Sequence, residues 1–149
     1  MEEYPANLTD KELEALRTSF FAQAFEILEL LGAEILKFEK NPEDIDILKN
    51  IQRYVHTLKG DSASMGLNSL SEAAHRLEDI LNMLREKKLR MDRDISDILL
   101  LFVDVSTQIL TNNREGNENT ADTEGLIKRI DSYLNASDRD SPKKAAAQN

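Results

Sequence analysis

Apolar residues recur along the chain at three- and four-residue steps in five separate runs, and each run reads as an amphipathic helix. In the first, Leu13, Leu16, Phe20, Ala24, Ile27, Leu31, Ile35 and Phe38 form one stripe, and Phe21 and Phe25 widen it. Thr9 and Glu12 have the spacing of a capping box just ahead of the run. The pattern predicts a helix over residues 10 to 39, about 45 Å long at 1.5 Å per residue, with Gly32 the one place where a bend is expected.

Asn41 and Pro42 then restart the chain, because Asn caps helices and Pro suits the first helical position. Ile47, Leu48, Ile51, Val55 and Leu58 carry a second helix over 42 to 64. Gly66 suits the turn after it, and Ser69 with Glu72 reads as a second capping box ahead of a third helix over 70 to 87, with Leu70, Ala73, Ala74, Leu77, Ile80, Leu81 and Leu84 inward. The basic run from Arg85 to Arg90 suits that helix's negative C-terminal end.

Asp92 is placed to cap a fourth helix carrying Ile95, Ile98, Leu99, Phe102, Ile109 and Leu110. A polar loop follows, then a shorter fifth helix over about 121 to 135 with Leu126, Ile127, Ile130, Tyr133 and Leu134. No stretch alternates apolar and polar residues as a strand does. The expected fold is therefore all-α, an antiparallel up-and-down bundle of about five helices: a four-helix core plus a shorter C-terminal helix, with successive helices as neighbours. The domain is expected to occupy residues 1–136, and the polar segment 137–149 to be a disordered tail or linker.

Composition narrows the function. The 149 residues hold 19 Lys and Arg against 28 Asp and Glu, a net charge of -9, which is the wrong sign for a protein that neutralises phosphate backbones. Nucleic acid is excluded as an expected partner. No window offers the roughly 18 to 20 apolar residues of a membrane span, and the acidic start is unlike a secretory signal, so a cytoplasmic location without membrane contact is expected. Cysteine is absent, which agrees with a reducing compartment.

The chain has two histidines. At 100° per residue, with Ile51 set to zero, Val55 and Leu58 fall within about 40° of the core direction while His56 falls near about 140°. On the third helix, with Leu77 at zero, His75 falls near about 160° and Glu78 near about 100°. Both histidines point outward. If the hairpin turns about Met65 and Gly66, His56 and His75 are level, and Glu78, one turn beyond, reaches across. Lys59 lies at i+3 from His56, so the sequence predicts a surface cluster of His56, Lys59, His75 and Glu78. Two imidazoles and a carboxylate are also a possible zinc set, but a lysine beside a divalent ion is unfavourable, and no metal is expected.

The string HTLKGDSASMGLNSLSEAAHRLEDIL, residues 56–81, resembles the signature of histidine-containing phosphotransfer (HPt) domains, above all the N-terminal phosphotransfer domain of CheA-type chemotaxis histidine kinases. The likeness rests on His56, Lys59, Gly60, the small residues Ser62 to Ser64, Gly66, and His75 and Glu78 at the matching spacing. Asp61 departs from it, standing where a Gly or Ser is common, and is expected to add negative charge near the site.

The resemblance implies a phosphorelay carrier in two-component, chemotaxis-type signalling. His56 would accept a phosphoryl group from the ATP-binding domain of a histidine kinase and pass it to an aspartate of a response regulator receiver domain. Glu78 would take the Nδ1 proton side of the ring, Lys59 would sit beside the phosphoryl oxygens, and His75 would belong to the network. Gln52, Gly60, Ala63, Ser64 and Met65 would form the docking ground, with Met65 or Leu67 as exposed apolar contacts. The chain shows no Walker-type loop and no strands for a nucleotide-binding domain, so ATP and magnesium are expected on the partner kinase domain and no cofactor here. Whether this chain belongs to a larger kinase or stands alone is open, and a monomer is expected. The competing class is a non-catalytic helical docking module that keeps the bundle without the chemistry.

Overall fold

In the computed structural model the described residues are 7–118 and 121–148, with side chains described through residue 136. Five helices follow one another: α1 (Asp10–Lys40), α2 (Ile45–Ser64), α3 (Asn68–Arg85), α4 (Arg93–Glu115) and α5 (Thr123–Gln148). The all-α bundle is as expected. α1 packs on α2 and α4, α2 on α3, and α4 on α3, which closes a four-helix ring, while α5 lies against α3 and α4. α5 passes the expected end near 135 and is helical backbone over 137–148, most of the segment expected as a tail or linker, whose side chains lie outside the described residues.

Thr9 caps α1 as its spacing predicts. Its hydroxyl accepts from Glu12 N–H at 3.1 Å, and Glu12 Oε1 accepts from Thr9 N–H at 2.9 Å. The helix runs through Gly32 without a break. Leu31, Ile35, Ile51, Leu58, Leu77 and Phe102 are fully buried in one core. Leu16, expected on the buried stripe, is 43% exposed. The reason is length: α1 has 31 residues and α2 has 20, about 46 Å against about 30 Å at 1.5 Å per residue, so the first turns of α1 outrun their partner.

Two expected helix starts are corrected. Asn41 closes α1 rather than opening α2: its backbone N–H and its side-chain amide both donate to Lys37 O. Asp44 caps α2 instead, its Oδ1 accepting from Asp46 N–H at 3.0 Å and Ile47 N–H at 3.4 Å. The Ser69–Glu72 box does not form, because α3 already starts at Asn68 after Leu67 and has no side-chain cap bond. What sets this start is the end of α2. Gly66 takes φ 77°, Gly66 N–H donates to Ala63 O and Leu67 N–H to Ser62 O, the paired bonds of a Schellman turn. Asp92 caps α4 as expected, accepting from Ile95 N–H at 2.9 Å.

Candidate functional site

The buried stripe of α2, Leu48, Ile51, Val55, Leu58 and Ser62, faces the core, and this leaves His56 on the outer side. Its side chain is 72% exposed. The buried stripe of α3 turns Glu78 toward α2 at the rim of the contact, where its side chain is 20% exposed. The two meet: His56 Nδ1 is 2.9 Å from Glu78 Oε2. Lys59 Nζ donates to the other oxygen, Oε1, at 2.7 Å. His75 Nδ1 is 3.9 Å from Oε1, beyond hydrogen-bond reach, with its ring 65% exposed.

The sequence thus brings the four predicted residues together, but in a different register. His56 lies opposite Glu78, and Gln52 Nε2 donates to Asn82 Oδ1 at 3.2 Å. Both pairs are centred on Leu67, because the Schellman turn places the reversal there and not between Met65 and Gly66. Glu78, and not His75, is therefore level with His56.

An ionised carboxylate only accepts, so Nδ1 is the ring nitrogen that carries a hydrogen toward Glu78, and in the neutral ring this leaves the lone pair on Nε2. Partial burial alone would push the Glu78 carboxyl up, but the hydrogen bonds from Lys59 and His56 outweigh it and hold Glu78 below its ordinary range. The carboxylate that orients the ring stays charged through neutral pH. Among the described residues no group of three or more His, Cys, Asp or Glu side chains is arranged to hold a metal ion, and no helix is long and apolar enough to cross a membrane.

Around the cluster, Gly60 and Ser64 are exposed, Gln52 and Ala63 are half-buried, and a Cβ added at Gly60 would meet open space. Met65 and Leu67, expected to be exposed contacts, are half-buried and pack on the core, since the turn folds them over the end of the bundle. Asp61 is also corrected. It lies about 140° around α2 from His56, on the flank where Asn50 bonds Glu34 of α1, and so its charge is not at the site. Two contributors were missed. Asn82 follows Glu78 by one turn as Gln52 precedes His56, a signal the level of Glu78 would have given; Ser71 Oγ donates to Lys59 O at 3.0 Å, for which the sequence holds no signal.

A family model described as the Hpt domain matches residues 15–114. This chain belongs to the Hpt domain family. Among curated proteins, the sensor histidine kinase CheAY of Helicobacter pylori is 35% identical over 73% of this chain, and the chemotaxis protein CheA of Treponema pallidum is 36% identical over 83% of it. The matches span 14% and 15% of those proteins' lengths. Among solved structures, the CheA phosphotransferase domain from Thermotoga maritima is similar with a TM-score of 0.64 and 31% identity, covering 66% of this chain and 94% of that one. The phosphorylated P1 domain of CheA3 in complex with CheY6 from R. sphaeroides is similar with a TM-score of 0.68 and 26% identity, covering 83% of this chain and 95% of that one. These likenesses show an Hpt domain similar to the phosphotransfer domains of chemotaxis kinases.

Proposed function

We propose that this Hpt domain is a phosphorelay carrier of chemotaxis-type signalling and that His56 is its phosphoacceptor. The observation that carries this reading is the divided ring of His56: Nδ1 is held by Glu78 at 2.9 Å while the side chain stays 72% exposed. The Nε2 lone pair attacks the γ-phosphorus of ATP bound to a histidine kinase catalytic domain. The N–P bond forms as the bond from phosphorus to the β,γ-bridging oxygen breaks, and ADP leaves with that electron pair. In the second step a carboxylate oxygen of a receiver-domain aspartate attacks the same phosphorus, and the N–P electrons return to Nε2. Through both steps Nδ1 keeps its hydrogen on Glu78, which stabilises the positive charge that develops on the ring. Lys59 lies one turn from His56 and supplies a cation for the phosphoryl oxygens, where transfer depends mainly on positioning and electrostatics.

ATP and magnesium belong to the kinase domain in this scheme. The open ground at Gly60 and Ser64 lets both partners approach the ring closely, and a small interface suits a carrier that must release each in turn. The test is phosphorylation by the catalytic core of a chemotaxis-type kinase with ATP, with the label located by mass spectrometry in wild type and His56→Gln. Acid-labile phosphate on His56, lost in the variant and drained by a receiver domain, is expected. A folded protein that takes no label from several such cores would mark it instead as a docking bundle.

A further inference from the structure

Glu78 Oε1 faces two potential donors and is bonded to one of them. Lys59 Nζ is bonded at 2.7 Å and His75 Nδ1 waits at 3.9 Å, while Oε2 is occupied by His56. The His75 side chain has no other polar partner among the described residues. We propose that His75 is a positioning residue that replaces Lys59 on Glu78 once His56 is phosphorylated, freeing the ammonium for the phosphoryl group without leaving the carboxylate half-bonded. The inference rests on the carrier reading above.

A phosphoryl group brings about −1.5 to −2 charges and three acceptor oxygens at neutral pH. Lys59, at i+3 from His56 on a flexible four-carbon stem, is the cation placed to answer it. Its present bond competes with that move, because Glu78 is mostly buried and a carboxylate there loses a charge-assisted bond when Lys59 turns away. His75 removes the conflict. It sits one turn before Glu78 on the same helix, so a side-chain rotation that shortens the contact by about 1 Å makes the bond without moving α2 or α3. Glu78 then keeps two donors in both states, and His56 keeps its tautomer throughout.

The experiment uses the whole chain with phosphoramidate as the phosphoryl donor: the N–P bond of the donor breaks, ammonia leaves, and Nε2–P forms on His56. Long-range proton–nitrogen spectra are then read on both imidazoles, which are the chain's two histidines. Phosphorus and mass spectra locate the phosphoryl group. With His56 phosphorylated, His75 Nδ1 is expected to take the shift of a bonded N–H, and His75→Ala to lower the rate of phosphoryl acceptance about threefold to tenfold. His75→Gln, whose amide N–H can replace Nδ1–H, is expected to recover much of that loss. Phosphorylated His56 with an unchanged His75 ring, or Ala and Gln variants with equal rates, overturns the exchange alone. Absence of phosphate on His56 overturns the carrier reading and the exchange with it.

Discussion

The two sides of the bundle use cationic side chains in opposite ways. Between α1 and α4, Arg17 lies 4.9 Å from the centroid of Phe21 and donates to Asn113 O at 2.8 Å, and Arg114 lies 4.5 Å from the centroid of Phe25. Both guanidinium groups are turned onto the protein itself, covering aromatic rings at the edge of the core. Between α2 and α3, Lys59 and His56 share one carboxylate, and the far edge of the His56 ring is left in solvent. The first arrangement extends the apolar packing outward. The second orders a polar group while leaving it free to react, and the difference lies in what the charge is bonded to rather than in which residues are present.

If the first side serves the fold and the second the chemistry, substitutions should separate them. Phe21, 5% exposed, anchors the first side, and Phe21→Ala is expected to destabilise the domain by about 3–5 kcal/mol, as truncation of a buried ring does. Urea denaturation measures this, and the fraction that remains folded should accept phosphate at the wild-type rate. A slowed rate in the folded fraction would join the two sides and break the contrast.

Glu78→Ala acts the other way. It is expected to slow phosphorylation of His56 about tenfold to a hundredfold, the scale of losing a charge-assisted bond of roughly 1.5–3 kcal/mol, with little change in the urea midpoint. The two measurements together decide whether Glu78 orients the ring or merely ties α2 to α3. A normal rate with a lowered midpoint would assign it to the fold.

Much of this contrast was legible in the sequence because periodicity reports direction. Angles of about 100° per residue put His56 outside and Ile51 inside, and the spacing of Lys59 and Glu78 brought them to the same face. What periodicity does not report is where the chain reverses. The offset of one to two residues that sets Glu78, rather than His75, opposite His56 comes from the left-handed Gly66 and the two bonds that close α2. The helix starts at Ile45 and Asn68 escaped for a related reason: several residues near each turn are able to cap, and the bonds of the preceding helix end decide among them. The covering of Phe21 and Phe25 by Arg17 and Arg114 depends on packing between α1 and α4, about which local patterns are silent.

Asp61 gives the smallest and finest division between the two roles. Read along the sequence it neighbours His56; on the helix it lies about 140° away, half-buried, with burial raising its pKa above the ordinary 3.8. A group that holds its proton more tightly folded than unfolded contributes most to stability below the unfolded value and loses that contribution as pH rises through the folded one. At neutral pH its charge therefore opposes folding slightly. Asp61→Asn is expected to raise stability by about 0.5 kcal/mol or less at pH 7, a gain that shrinks as the pH is lowered toward 3.8, measured as paired urea midpoints. The phosphorylation rate of His56 should stay within about twofold, because a carboxylate on the α1 flank is separated from Nε2 by the helix and by water that screens it. A larger change in rate would mean that Asp61 reaches a docked partner, and the boundary between the chemical face and the structural flank would then have to move past Asp61.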